Sequence, residues 1–128
     1  MILPLLAAAA VAAPADIPVR EPIGTASLPA EKLVARVEMN RVRFKPGQVM
    51  PRHVHPAPVV CLVESGAFAA RIGDEPERLY AKDAVTLEPA GVVVQYFRNT
   101  STTEPATLVC SFLGGRDDHV ISTMLPTP

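Results

Sequence analysis

Two histidines one residue apart, His53 and His55, are the residues of this sequence best suited to chemistry. In a β-strand, residues i and i+2 point to the same face, so the two imidazole rings would lie side by side. Imidazole nitrogens bind transition metals, and we consider divalent iron, manganese, zinc or nickel. A functional site of this kind usually needs at least three protein ligands. The pair therefore predicts part of a metal site.

Three other side chains are candidates for the missing ligands. Gln95 is retained as a metal candidate, although its amide oxygen is a poorer ligand than imidazole for these metals. Cys61 has a simpler explanation in pairing with Cys110, and His119 lies in a polar run typical of a solvated loop. No serine has an evident base partner and no glycine-rich phosphate loop is present, so catalytic residues stay unassigned.

The acidic residues Glu38, Glu64 and Glu88 offer carboxylates that could also serve a site. Each lies in a short alternating run, at the position that the alternation assigns to solvent. We therefore predict that all three face water and that the protein has no paired-carboxylate site.

The elements that would position these residues are short strands. An alternating run from Leu33 to Phe44 changes phase near Asn40, which predicts a bulge or bend there. Turn residues separate this run from later ones. No segment after residue 30 keeps a helical apolar period without an internal proline or glycine. The pattern favours an all-β sandwich or barrel. The later predicted strands are residues 59–64, 67–72, 84–88, 92–98 and 106–113.

The remaining segments lie outside this β-region of residues 33–113. Residues 1–15 are apolar, too short to span a bilayer, and end in the small-residue triplet Ala13-Pro14-Ala15. They predict a signal peptide and export to the periplasm or medium, with a disordered apolar tail as the alternative. The proline-rich residues 16–32 predict an extended arm, and residues 114–128 form a C-terminal segment.

Charge and cysteine content restrict the partners and the compartment. A net charge of −1 argues against nucleic acid, which requires a basic excess. No later segment is long and apolar enough to cross a membrane. Cys61 and Cys110 would meet an oxidising compartment after export. They could form a disulfide or remain two buried thiols, and the sequence leaves both possibilities open.

The stretch from Gly47 to Gly66, with His53 and His55 between them, resembles the first sequence motif of the cupin superfamily. A second motif is similar to the stretch from Pro89 to Asn99, and the resemblance covers about residues 33–113. It implies a single-domain antiparallel double-stranded β-helix, the jelly-roll or cupin barrel, with a central pocket. It also implies self-association, because cupin barrels commonly form homodimers.

The ligand set departs from the pattern that the resemblance implies. Metal-binding cupins typically use the two histidines of the first motif, its glutamate, and the histidine of the second. Here the glutamate position is Val59, and the second histidine position is Val94, or Gln95 with one extra residue. Valine has no lone pair to offer a metal, so half of the usual set is missing.

Three functions remain under consideration. An exported binding module for a small molecule, with a partial two-histidine metal site, fits the sequence best. The alternative is a metal-dependent enzyme, dioxygenase-like or isomerase-like, that uses His53 and His55 plus an unidentified ligand. The third is an interaction protein that pairs through a strand edge or the proline-rich arm.

Overall fold

The computed structural model describes residues 9–12 and 16–128, and these residues form ten β-strands and no helix. Within this part, no helix could cross a membrane. The all-β prediction is confirmed. The strands are β1 (Arg36–Phe44), β2 (Val49–Met50), β3 (His53–Val54), β4 (Val59–Ser65), β5 (Phe68–Ile72), β6 (Arg78–Tyr80), β7 (Val85–Glu88), β8 (Val94–Asn99), β9 (Ala106–Gly114) and β10 (Thr123–Met124).

The strands form two antiparallel sheets in a jelly-roll arrangement. The four-stranded sheet has the order β1-β9-β4-β7, and the six-stranded sheet has the order β10-β3-β8-β5-β6, with β2 also paired to β8. Neighbours in each sheet are mostly distant in sequence. Side chains from very different parts of the chain can therefore meet between the sheets.

The core lies between the two sheets and is rich in aromatic and β-branched residues. Phe44 of the four-stranded sheet meets Phe68 of the six-stranded sheet edge to face, with ring centroids 5.1 Å apart. Phe97 continues the contact at 5.4 Å from Phe68. Such aromatic pairs contribute roughly 0.5–1.5 kcal/mol beyond the area that they bury. This packing holds the sheets together at one end of the space that contains the site.

Of the bulge or bend predicted near Asn40, the bulge is absent. Strand β1 pairs with β9 over its full length without a register shift. Phe44 and, less completely, Val42 face the core, whereas Val37 and Met39 lie on the other face and are 56% and 66% exposed. The alternation of apolar residues shifts by one position because β1, an edge strand, has apolar side chains on both faces. The face that carries Val37 and Met39 lies largely in water.

The two ends of the chain behave differently. The arm forms no strand, although its Gly24 lies against the Val85 side chain of β7. The predicted signal peptide, residues 1–15, falls outside the described residues except for 9–12. The C-terminal segment contributes β10, which pairs with β3. The six-stranded sheet thus extends past residue 113.

A disulfide joins Cys61 and Cys110, which the sequence left open. The two residues lie directly opposite each other on β4 and β9, with Cα atoms 4.0 Å apart, and the bridge spans 49 residues of sequence. A covalent link of this span reduces the freedom of the unfolded chain and so stabilises the four-stranded sheet.

Candidate metal centre

The imidazole rings of His53 and His55 lie side by side in the interior. His53 belongs to β3 and His55 follows it directly, so both rings point to the same side of the strand, with centroids 4.9 Å apart. Only 4% of His53 and 7% of His55 is exposed. The backbone carbonyl of His55 accepts a hydrogen bond from the Gly91 amide at 2.9 Å, which ties down the end of this short segment.

A carboxylate from the opposite sheet completes the group. Oε2 of Glu88 lies 2.7 Å from Nε2 of His55 and 3.3 Å from Nε2 of His53. One donor atom from each of the three residues can be chosen so that all lie within 4.8 Å of one another. Glu88 ends β7 in the four-stranded sheet. The group therefore joins the two sheets, and neither sheet alone could form it.

The prediction that Glu88 faces solvent is wrong, since only 5% of it is exposed. In β7 the polar residues Thr86 and Glu88 face the interior, whereas Val85 and Leu87 face outward and are half-buried. Gly24 of the N-terminal arm packs against Val85 on that outer face. Apolar alternation identifies the core-facing side of a strand only when the opposite side lies in water. In β7 the arm contacts that opposite side, so apolar residues occur there.

The hydrogen bonds on the far side of each imidazole fix the rings for coordination. Nδ1 of His53 lies 2.7 Å from the Pro51 carbonyl oxygen, and Nδ1 of His55 lies 2.7 Å from that of Ile121. A carbonyl oxygen can only accept, so each Nδ1 carries its hydrogen. In the neutral ring, Nε2 then presents a lone pair towards Glu88. Metal-bound histidines in proteins have this arrangement.

The facing donors require a cation between them. A neutral Nε2 lone pair and a carboxylate oxygen at 2.7 Å would repel each other, so either a proton or a metal ion must lie in the gap. Two imidazoles and one carboxylate with open positions are a known ligand set for divalent iron, and His, Asp and Glu also bind zinc. The residues present therefore fit a divalent transition metal.

The pKa values of the group report the same attraction. Burial alone would lower the pKa of His55, but hydrogen bonds to Glu88 and to the Ile121 carbonyl outweigh it and raise that pKa. Burial alone would raise the pKa of Glu88, but hydrogen bonds from His53 and His55 outweigh it and lower that pKa. The site therefore favours a negative carboxylate facing a positive charge.

The group lies on the wall of a cavity of about 490 Å³ between the sheets. The rest of the wall is mostly apolar, which excludes water and strengthens electrostatic contacts with an ion or ligand. Asn40, Arg41, Arg43 and Ser122 also line it. Arg41 is already paired with Glu64 at 3.0 Å. The apolar wall and the disulfide are contributed by Val42, Phe44, Met50, Val59, Phe97, Leu108, Cys110, Phe112 and Ile121.

The two valines at the expected ligand positions are both in the interior. Val59 lines the cavity, and Val94 is fully buried beside His53, with which it pairs. Val59 is also the direct ladder partner of Glu88 on β7. The carboxylate that the first motif would place on β4 is thus provided by the neighbouring strand, at the position directly across from it.

The other residues considered from sequence are not brought to this group. The Gln95 side-chain oxygen accepts a hydrogen bond from Nε of Arg52 at 3.1 Å, and its nitrogen donates to the Gly73 carbonyl at 3.5 Å. His119 is exposed near the C-terminus. Cys61 is bonded to Cys110 and has no free thiolate.

Comparison with known proteins identifies the family. The family model of the cupin domain matches residues 40–112, which include all three members of the group. The chain belongs to the cupin family. No curated protein matches the sequence of this cupin.

Solved structures show the same fold. Oxalate oxidase in complex with the substrate analogue glycolate is 28% identical with a TM-score of 0.55, covering 61% of this cupin and 42% of that chain. A cupin-like protein from Thermotoga maritima is 22% identical with a TM-score of 0.56, covering 70% and 64%. Oxalate decarboxylase from Bacillus subtilis is 18% identical with a TM-score of 0.60, covering 70% and 24%. This cupin thus spans less than half of the two oxalate enzymes.

Glu88 is the candidate metal ligand that sequence reasoning missed. Its signal was present but pointed the other way, because Val85 and Leu87 are the more apolar residues of β7. The motif offered one clue. Because Val59 occupies the position of its glutamate, an acidic residue on a neighbouring strand could take the place of that glutamate. Only the pairing of β4 with β7 identifies which one.

Proposed function

We propose that this cupin is a metal-dependent enzyme acting on a small organic molecule. A divalent iron, manganese, zinc or nickel ion would be held by His53, His55 and Glu88, with its open positions facing the apolar cavity. The convergence of three buried donors on the cavity wall carries the proposal. Three protein ligands with an open position are typical of catalytic rather than structural metal sites.

The residues of the chain have separate tasks in this proposal. His53 and His55 hold the ion with their Nε2 atoms, Glu88 neutralises part of its charge, and the apolar wall keeps bulk water away. When bound, the ion supplies polarisation of a substrate oxygen or activation of dioxygen. The likeness to oxalate oxidase, at 28% identity, favours a small carboxylate as substrate.

A binding module without turnover would use the same site, and the sequence alone favoured it because only two ligands were evident. Glu88 is a candidate for the ligand that the enzyme alternative lacked, so we favour the enzyme over the binding module. The two functions differ in one measurable property. A module binds a small carboxylate at the loaded site and releases it unchanged, whereas an enzyme converts it.

Metal analysis of the purified protein tests the proposal. We expect about one ion per chain in the wild type, and its loss in the His53→Ala/His55→Ala double variant and in Glu88→Gln. Glu64→Gln removes an exposed carboxylate and serves as the control. Gln95→Ala tests the ligand predicted from sequence, and we expect it to keep the ion because Gln95 bonds Arg52 and Gly73.

A wild type that takes up none of the four metals after reconstitution would overturn the metal site. An ion that is retained in Glu88→Gln would overturn the role of Glu88. Loaded protein that binds small carboxylates such as oxalate or glycolate and consumes none of a panel of them would favour the binding module.

Export is a further part of the proposal. The Cys61–Cys110 disulfide supports it, since such bonds persist mainly in oxidising compartments. Fractionation with mass spectrometry should find the chain in the periplasm or medium, beginning at Asp16. An intact Met1 on protein confined to the cytoplasm would contradict export. Homodimer formation stays a prediction of the family resemblance.

A further inference from the structure

The C-terminal residues 121–126, here called the strap, lie beyond the part matched by the cupin family model and fold back over the candidate metal centre. We propose that the strap is part of that centre: it positions His55 through a backbone carbonyl and forms one wall of the ligand cavity. This inference rests on the proposed function, because it concerns how the same metal site is completed.

The strap is attached at successive points along the segment that carries His53. Met124 pairs with His53, and Thr123 pairs with Val54. The Leu125 amide donates to the Arg52 carbonyl oxygen at 2.9 Å. The Arg52 guanidinium in turn donates to the Pro126 carbonyl oxygen at 3.3 Å. These bonds fix the strap against β3, and with it the position of Ile121.

The two imidazoles differ in how they are oriented. His53 bonds the Pro51 carbonyl two residues away, so its own segment sets its orientation. His55 bonds the Ile121 carbonyl, which is 66 residues away in sequence, at the same distance of 2.7 Å. The orientation of His55 therefore depends on where the strap lies. Outer hydrogen bonds of this kind fix the tautomer and the direction of a metal ligand.

The strap also contributes side chains to the cavity. Ile121 packs against the hydrophobic core and lines the cavity, and Ser122 beside it adds a hydroxyl group to the wall. Both side chains are half-buried. The strap thus determines part of the shape and polarity that a ligand would meet.

A pair of variants at Leu125 tests the positioning role in the full chain. Leu125→Pro removes the amide hydrogen that donates to Arg52, whereas Leu125→Ala keeps it and removes the side chain. The preceding Met124 is in an extended strand, which is the conformation that a residue before proline adopts. Circular dichroism and thermal unfolding establish that both variants are folded.

The first readout is the hydrogen bond from Nδ1–H of each imidazole in metal-free protein, measured from proton and nitrogen-15 chemical shifts. We expect Leu125→Pro to weaken the Nδ1–H signature of His55 and to leave that of His53 unchanged. The second readout is affinity for Co²⁺ as a probe ion. We expect a loss of roughly 10- to 100-fold in Leu125→Pro and little change in Leu125→Ala.

If Leu125→Pro does not fold, a milder variant replaces the Ser122 amide with an ester by incorporating the α-hydroxy analogue of serine. The Ile121 carbonyl then becomes an ester carbonyl, a weaker acceptor, and the His55 signature should weaken alone. An unchanged His55 signature with wild-type Co²⁺ affinity would overturn the inference. If the wild type binds no Co²⁺, the proposed function fails, and the imidazole signatures still decide whether the strap orients His55.

Discussion

Two concave regions of this cupin have nearly the same volume and very different chemistry. The cavity beside the candidate metal centre, here called the metal cavity, measures about 490 Å³, and the second region, here called the groove, measures about 470 Å³. The groove also has charged residues, among them Asp74, Glu75 and Arg78. Glu75 and Arg78 form an ion pair at 3.7 Å with side chains 70% and 64% exposed. The Glu88 side chain in the metal cavity is only 6% exposed.

The difference shows that burial and convergence of donors, not volume, indicate a site. Exposed charges such as Glu75 keep their hydration, and their ion pairs contribute little. A buried carboxylate such as Glu88 loses its hydration and needs a compensating charge. Two imidazoles with fixed Nδ1–H bonds face it, so the compensation must be a proton or a metal ion. The groove imposes no such requirement.

The largest effect that we expect comes from removing the disulfide that lies at the wall of the metal cavity. The Cys61→Ser/Cys110→Ser variant removes the bridge behind that wall, and closing a loop of about 50 residues contributes about 4 kcal/mol. Urea unfolding should show a loss of this size. Leu87→Ala in the groove should cost less, since Leu87 is only partly buried and no covalent link is lost. Equal losses in both variants would break the distinction between the two regions.

A somewhat smaller effect separates the carboxylates of the two regions. A metal present at 100 times its dissociation constant stabilises a protein by about 2.7 kcal/mol. We expect this gain, measured as a rise in melting temperature, in the wild type and in Glu75→Gln. Glu88→Gln should lose it. Stabilisation that Glu75→Gln loses and Glu88→Gln keeps would place the ion in the groove.

The smallest effect is the pH dependence of metal-free protein in the presence of a chelator. The raised pKa of His55 gives stability that is present below its usual value of 6.5 and is lost as pH rises through the folded-state pKa. The lowered pKa of Glu88 gives stability that is present above its usual value of 4.5 and is lost as pH falls through the folded-state pKa. This contribution is therefore largest between pH 4.5 and 6.5.

Urea unfolding of the wild type and Glu88→Gln across this range provides the measurement. The difference in unfolding free energy between them should be largest in the mildly acidic window and should shrink towards pH 8. A difference that grows steadily with pH would contradict the ion pair. Glu75→Gln should follow the wild type at every pH.

Much of the fold could be predicted because its signals are local. The turns and alternating runs located the five long strands after residue 58 to within two residues of their observed ends. The short strands β2, β3, β6 and β10 were not predicted as separate elements, since two or three residues carry no period. Their pairing depends on neighbours that the sequence does not identify.

The candidate site also has features that the sequence predicts and features that it does not. His53 and His55 were predicted to lie side by side from their i, i+2 spacing, and they do. Glu88 was placed in solvent because the more apolar residues of β7 were assigned to the core. The hydrogen bond between His55 and the Ile121 carbonyl could not be predicted from the sequence. Every residue has a backbone carbonyl, so the residue type does not show which carbonyl meets a given side chain.

By itself, the sequence determined that the chain is an all-β cupin and that two imidazoles share one face of a strand. The all-β class and the shared strand face follow from φ/ψ preferences, turn residues and two-residue periodicity, which act between near neighbours. The cupin family follows from the resemblance of two sequence motifs. The tertiary structure decided that Glu88 faces these imidazoles, that Cys61 meets Cys110, and that the C-terminus orients His55. Each of these contacts joins residues more than 30 positions apart, and only the pairing of whole strands brings them together.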